Sequence, residues 1–167
     1  PLARQFEIQH YCNVVKPVCI ITTSDIAEKL LAYDIIRNKD IFIIIDSHPL
    51  YTTLYSILTS NAYDSYYVQE NNNAAAIIFT SAMDGYALGA VLTHYGIYHS
   101  AMTVATMLSH SASVSLAVLP LFHAFGLTSS LIVPLLKKSA IIHVDKFSVK
   151  KVIQTLSNTE VKAFIGV

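Results

Sequence analysis

The stretch between residues 79 and 94 has the residue types of a loop that binds phosphate. Two hydroxyl residues, Thr80 and Ser81, follow a short apolar run, and glycines occur at Gly85 and Gly89. Glycine lets the backbone approach a ligand closely, so that main-chain N–H groups can point at phosphate oxygens. The sequence therefore predicts a strand–loop–strand unit whose backbone N–H groups can turn toward phosphate oxygens.

The same stretch lacks a cation. No lysine or arginine occurs between Gly85 and Leu136, and Asp84 places a carboxylate inside the loop. The glycines also have a second explanation, because a tight turn between two strands favours glycine without any ligand. From these residues alone, the two explanations carry equal weight.

A second segment lies between residues 119 and 128 and reads Leu-Pro-Leu-Phe-His-Ala-Phe-Gly-Leu-Thr. It closely resembles the Pro-Leu/Met-Phe-His-x-x-Gly segment of fatty acyl-CoA synthetases. The glycine-containing stretch is similar to the ATP-phosphate loop of the wider adenylate-forming superfamily, whose pattern is Tyr/Phe-Thr-Ser-Gly-Thr/Ser-Thr-Gly-x-Pro-Lys-Gly-Val. The positions that match this loop are Phe79, Thr80, Ser81, Gly85, Gly89 and Val91.

The loop departs from the family pattern at its charged positions, since Leu88 replaces the lysine and Asp84 replaces a hydroxyl residue. A lost hydrogen bond from a charged donor costs about 1.5–3 kcal/mol. A carboxylate that faces a phosphate at about 4 Å adds roughly 4 kcal/mol of repulsion at an effective dielectric near 20. As an upper value, the two together lower triphosphate affinity by a factor of about ten thousand or more. The remaining departures are Ala82, Met83 and Ala87.

The resemblance implies an enzyme that uses ATP and Mg²⁺ to activate a carboxylic acid, fatty in the acyl-CoA synthetases, as an acyl-adenylate. The acceptor would be the thiol of CoA or of a carrier protein. In the family the loop holds the β- and γ-phosphates, a role that falls here to the four residues at 80, 81, 85 and 89. His123 corresponds to a residue beside the acid and the adenylate, with Phe122 and Gly126 in the same acyl pocket. The alternative for His123 is a helix cap whose ring bonds to the backbone.

The resemblance covers nearly the whole chain but only the middle of the family's large N-terminal domain. We expect residues 1–167 to form a single partial domain, without the family's C-terminal domain. The family's later motifs, a Tyr-Gly-x-Thr-Glu segment, a ribose-binding aspartate and a C-terminal-domain lysine, do not occur here. We therefore expect this chain to be inactive alone and name no catalytic residue. The alternative is a non-catalytic relative that kept the fold, as an acyl-binding or protein-interaction module.

Composition excludes some classes of protein. The chain has 53% hydrophobic and 13% charged residues with no net charge, and it lacks the basic stripe of a nucleic-acid-binding protein. The run Val114–Leu136 has the length of a membrane span, but prolines, Gly126 and His123 interrupt it. Cys12 and Cys19 fit neither a disulfide framework nor a metal-ligand pair, which indicates two reduced cysteines in a cytoplasmic protein, and we name no residue as a metal ligand.

Hydrophobic patterning predicts an α/β fold. Strand-like runs alternate with helical ones, which favours a mostly parallel sheet with helices on both faces, resembling part of the N-terminal domain of acyl-CoA synthetases. A strand buried on both faces also explains the long uncharged run. Ser24 or Asp25 is expected to cap the first of these helices, whose inner face would carry Ile26, Leu30 and Tyr33. The predicted strands are Val18–Thr22, Ile41–Ile45, Ala74–Phe79, Ala87–Leu92, Val114–Leu119, Ala140–Val144 and Val161–Ile165, and the predicted later helices are Leu50–Leu58, Tyr95–Leu108, His123–Leu136 and Val149–Leu156.

Overall fold

The computed structural model describes residues 4–60, 68, 70–80, 87–108, 113–144 and 147–166. The chain divides into two compact units. The first comprises Pro1–Val68 and Ser81–Ala87, and the second comprises Gln69–Thr80 and Leu88–Val167.

The first unit contains a small parallel sheet with the strand order β1-β2-β3. In the register of this sheet, Ile20 lies opposite Phe42, and Ile43 lies opposite Thr52. The elements in chain order are α1 (Gln5–Val15), β1 (Ile20–Thr22), α2 (Ser24–Ala32), a 3₁₀ turn (Lys39–Ile41), β2 (Phe42–Ile44), β3 (Thr52–Thr53) and α3 (Leu54–Thr59).

The core of this unit lies between α2 and β2. Ala27 and Leu30 of the helix pack with Phe42 and Ile44 of the strand, and all four are buried. The predicted inner face of α2 was therefore only partly right. Leu30 is buried, but the side chains of Ile26 and Tyr33 are 37% and 52% exposed, because the stripe that meets β2 is centred one position later, on Ala27.

The predicted cap of α2 was wrong. The helix begins at Ser24 with Thr23 as its N-cap, and the Thr23 side chain makes no capping hydrogen bond. Asp46, which lies two residues beyond β2, caps the helix instead, although it is 22 residues away from Ser24 in the sequence. Its carboxylate accepts hydrogen bonds from the Ser24 backbone N–H (2.8 Å) and the Ser24 hydroxyl (2.5 Å). These bonds, first the one from the hydroxyl, lower the pKa of Asp46, and the positive end of the helix dipole favours the same charge.

The second unit begins with an antiparallel hairpin and continues as a parallel α/β sheet. Phe79 pairs with Gly89 at the end of the hairpin, and the parallel sheet has the order β7-β6-β8. The elements in chain order are β4 (Ala74–Phe79), β5 (Gly89–Thr93), α4 (His94–Met107), β6 (Val114–Ala117), α5 (Ala124–Gly126), a π-helix (Leu127–Ile132), α6 (Val133–Leu136), β7 (Ala140–His143), α7 (Val149–Asn158) and β8 (Val161–Ile165).

Helices cover both faces of the central strand β6. On one face Leu116 packs with Val144 and with Val152 of α7. On the other, Ser115 lines a cavity together with the π-helix and α6, and α6 packs in turn on α4. Successive side chains of a strand point to opposite faces, so both kinds of contact can arise from neighbouring residues. The α/β fold class with mostly parallel strands and helices on both faces is thereby confirmed, with the β4–β5 hairpin as its antiparallel exception.

The burial of β6 explains the absence of charge in this part of the chain. Ser115, Leu116 and Ala117 are each less than 9% exposed, so a charged side chain here would lose its hydration without gaining a partner. Within the described ranges, no helix combines the length and apolar character needed to cross a bilayer.

We expect Asp46→Asn to destabilise the chain at neutral pH, because asparagine offers Ser24 a single uncharged oxygen. Since the hydrogen bonds lower the pKa of Asp46 in the folded state, the stabilisation is fully present above the ordinary carboxyl pKa of about 3.9. It is lost as the pH falls through the lower folded value. The difference in Tm between the parent chain and the variant should shrink on acidification, as measured by thermal denaturation followed by circular dichroism.

The pair Asp34–Arg37 provides the control. These side chains lie three residues apart, 2.8 Å from each other, and are 66% and 82% exposed. Solvent-exposed pairs of this kind contribute little to stability, so Arg37→Gln should leave the Tm almost unchanged. A Tm difference for Asp46→Asn that stays constant down to acid pH would contradict the role given to this carboxylate.

Candidate functional site

Thr80 closes the base of the glycine loop. Its backbone N–H donates to the Leu88 carbonyl at 2.9 Å, one residue beyond the last strand pair. Its hydroxyl Oγ1 lies 3.3 Å from the same carbonyl and 3.3 Å from the Leu88 N–H, so it can donate to one and accept from the other. The hydroxyl that the sequence assigns to phosphate binding thus joins the two ends of the loop.

Leu88, which the sequence resemblance aligns with a lysine, is 74% exposed. Its side chain reaches solvent but carries no donor and no charge. The preceding residue, Ala87, is buried, and its carbonyl accepts a hydrogen bond of 2.9 Å from Nε2 of His10 in α1. Ser81, Asp84 and Gly85 lie outside the described residues, so their proposed places at the phosphate stay predictions.

Packing alone accounts for the glycine at position 89. A Cβ atom there would lie 2.9 Å from Cγ2 of Ile77 and 3.5 Å from the ring of Phe79, both on the paired strand. Glycine removes this crowding and lets the hairpin close. The explanation by strand pairing therefore has direct support, and a contact between Gly89 and a phosphate stays a prediction.

The second motif follows the carboxyl end of β6, the central parallel strand. This is the edge of an open α/β sheet at which ligands commonly bind. His123 is the N-cap residue of α5, yet its ring makes no capping hydrogen bond. The expected alternative, a ring bonded to the backbone as a cap, is therefore not observed. Instead the ring lies against that of Phe122, with centroids 4.4 Å apart and an angle of 42° between the planes.

Apolar side chains surround His123 on the exposed surface. Leu121 is 37% exposed, Phe122 63% and Phe125 49%. Phe122 and His123 are thus brought together as the sequence predicts, whereas Leu121 and Phe125 were not among the expected site residues. The sequence pattern that could have predicted them is a histidine with a phenylalanine on either side, in the segment that follows strand β6.

Gly126 has a structural role that the sequence does not reveal. A Cβ atom at this position would lie 2.1 Å from the Pro120 carbonyl oxygen and 2.8 Å from its carbon. The helix can therefore approach the end of β6 only if residue 126 has no side chain. The residue is buried beneath the motif, where it fixes the bend that presents His123.

The described residues of the glycine loop carry no cationic side chain. Leu88 supplies no cation, and the Thr80 hydroxyl already contacts the Leu88 backbone. In the described ranges no group of three or more His, Cys, Asp or Glu side chains is placed to hold a metal ion. Cys12 and Cys19 are free thiols, and burial raises the pKa of Cys12.

Comparison with known proteins identifies the family. A family model described as "AMP-binding enzyme" matches residues 1–167. The chain belongs to the AMP-binding enzyme family. Among its relatives, 4-coumarate–CoA ligase 2 of Nicotiana tabacum is 28% identical over 168 aligned positions, covering 96% of this chain and 31% of the relative. The 4-coumarate:CoA ligase 1 of Petunia hybrida is 31% identical over 156 positions, covering 89% of this chain and 28% of the relative.

Solved structures share the fold. ATP-bound MatB from Rhodopseudomonas palustris matches 95% of this chain with a TM-score of 0.78 and 17% identity, over 31% of the MatB chain. MenE, the o-succinylbenzoate CoA synthetase of Bacillus subtilis, in complex with ATP and magnesium, matches 98% with a TM-score of 0.75 and 19% identity, over 40% of its chain. The chain thus spans about a third of the length of these curated relatives.

We expect Thr80→Val to weaken the closure of the loop, because valine keeps the shape of threonine and removes the hydroxyl. The two contacts are long and exposed, so the free energy of unfolding should fall by about 0.5–1 kcal/mol. Thr80→Ser keeps the hydroxyl and serves as the control in urea denaturation. Equal midpoints for the two variants would show that the hydroxyl does not stabilise the loop.

We expect Gly126→Ala to lower the free energy of unfolding by about 1–3 kcal/mol, the usual range for overpacking, because the Pro120 backbone must move. The matched control is Gly166→Ala, where the nearest atom to a new Cβ is Cζ of Phe164 at an ordinary 3.8 Å. Chemical denaturation of both variants measures the difference. A Gly126→Ala chain as stable as the control would contradict the close approach.

Proposed function

We propose that this chain is part of an ATP-dependent, AMP-forming ligase that activates a carboxylic acid for transfer to the thiol of CoA or of a carrier protein. We propose further that the chain by itself binds the triphosphate too weakly to form an adenylate. Family membership supports the first statement. The second rests on the glycine loop, where Leu88 occupies the position that the resemblance assigns to a lysine.

The observation that carries the proposal is the exposed, uncharged side chain of Leu88 at the rim of a loop that is otherwise of the phosphate-binding type. A triphosphate carries several negative charges, and loops that hold it use a lysine as a point charge beside backbone N–H groups. Here the described residues offer backbone N–H groups and one hydroxyl at Thr80, which is used in closing the loop. Weak binding follows from the missing charge.

The proposed acid has an apolar body. Leu121, Phe122 and Phe125 expose apolar surface beside His123, at the carboxyl end of β6. Such a surface suits a fatty acid, in keeping with the Pro-Leu-Phe-His segment. The relatives named 4-coumarate–CoA ligases favour an aryl acid as the second candidate, since aromatic rings stack on phenylalanine and imidazole. We propose a cytoplasmic site of action for either acid.

A non-catalytic relative that binds an acyl compound or a protein is the alternative function, and the same residue favours it. An enzyme under selection for ATP use gains from a cation at position 88, whereas a binding module does not need one. The two proposals differ in what restoring the charge should achieve.

We expect Leu88→Lys to raise the affinity of the full chain for Mg²⁺-ATP by about 10- to 150-fold, the equivalent of one charged hydrogen bond of about 1.5–3 kcal/mol. Isothermal titration calorimetry measures the change. Leu88→Met is the matched control, because methionine is unbranched like lysine but uncharged. The gain should be large for ATP and pyrophosphate and small for AMP, because the loop faces the β- and γ-phosphates.

Two results would contradict the proposal. Micromolar binding of ATP by the unmodified chain would show that the missing lysine does not impair the loop. An affinity gain for Leu88→Lys no larger than that for Leu88→Met, or a gain equal for AMP and ATP, would show that residue 88 does not face the triphosphate.

A further inference from the structure

A seam between the parallel sheet and the helices of the second unit is lined by apolar side chains and by several serines. Two small cavities open along it, of about 10 and about 20 Å³ when counted as the space open to the centre of a water molecule. Both are bordered by β6 and α6 and share the lining residue Ser115. The serines that line one cavity or the other are Ser113, Ser115, Ser129, Ser130 and Ser139.

Among the described residues, the Ser130 hydroxyl lacks the kind of protein partner that its neighbour Ser129 has. Its side chain is 4% exposed, and its Oγ has no hydrogen-bond partner within the part of the chain that the structure describes. Ser129, its neighbour, donates to the Phe125 carbonyl at 2.5 Å. The Ser113 and Ser139 hydroxyls lie 3.4 Å from each other. The Ser130 hydroxyl is therefore left for another partner.

The π-helix explains why two consecutive serines are both buried. In Leu127–Ile132 the backbone is wider than in an α-helix, and such turns recur at sites that bind something. The Ser129 hydroxyl donates to a carbonyl of the preceding turn, whereas Ser130 lines the smaller cavity. A buried hydroxyl without a partner is rare in native proteins, because it loses hydration and gains nothing.

We propose that the smaller cavity binds one water molecule between the Ser130 hydroxyl of the π-helix and Ser115 of strand β6, which lines the same cavity. Its volume of about 10 Å³ is close to what one water needs, which is roughly 10–15 Å³ on this measure. Any larger ligand is too big. Lys137 and Lys162 border the adjoining cavity, and their charges disfavour a metal cation in the seam. The occupant is therefore small and neutral.

The experiment compares the thermal stability of the full chain with that of Ser130→Ala. With a bound water, the variant leaves that water short of a partner, and the Tm should fall by about 2–4 °C. In a dry cavity, alanine removes an unpaired hydroxyl, and the Tm should rise. Ser129→Ala is the control: its hydroxyl has a protein partner, so its Tm must fall whether or not water is bound.

A crystal structure of the same chain supplies a second readout that does not depend on stability. An ordered water should lie at a hydrogen-bonding distance of about 2.7–3.2 Å from Ser130 Oγ and should be lost or displaced in Ser130→Ala. An unchanged or raised Tm for Ser130→Ala, or well-ordered density around Ser130 with no water beside it, would overturn the proposal.

Discussion

Burial of strand β6 on both faces is the constraint on which the second unit depends. Leu116 packs under α7, and Ser115 faces the π-helix and α6. Because both faces are covered, each residue of the strand must be small or apolar and uncharged. The position of β6 also places the Pro-Leu-Phe-His segment at the carboxyl edge of the sheet, because the segment follows the end of this strand. There the side chains of Phe122 and His123 are exposed to solvent.

The approach of the helix to the end of this strand sets the shape of the motif. Gly126 comes so near to Pro120 that no Cβ fits between them, so the turn that carries His123 can take few other forms. The hairpin shows a comparable device, since Gly89 makes room for Ile77 and Phe79. In both places glycine serves the fold directly, and the bound acid or phosphate of the family would use a geometry that packing has already fixed.

Local patterning predicted the elements well, because apolar runs and turn residues are local signals. Strands Ala74–Phe79 and Val161–Ile165 have the expected bounds, and α4 and α7 lie within two residues of theirs. Two local errors are the helix α1, which was not predicted, and the predicted helix Leu50–Leu58, which includes strand β3 before α3. The other errors depend on contacts between distant residues. Asp46 replaces the expected cap of α2 from beyond the next strand, and the inner face of α2 is set by where β2 lies. The contact of Thr80 with Leu88 and the crowding of Gly126 against Pro120 likewise depend on three-dimensional positions. Spacing along the sequence does not reveal them.

Hydrogen–deuterium exchange of the full chain, resolved by peptide, tests the covered central strand most directly. The account predicts that amides of β6, hydrogen-bonded to both β7 and β8, exchange the slowest in the second unit. The β4–β5 hairpin should exchange faster, since two strands alone protect their amides poorly. Exchange of Val114–Ala117 as fast as that of the hairpin would contradict a strand buried between two helical layers, and with it the placement of His123 at the edge of the sheet.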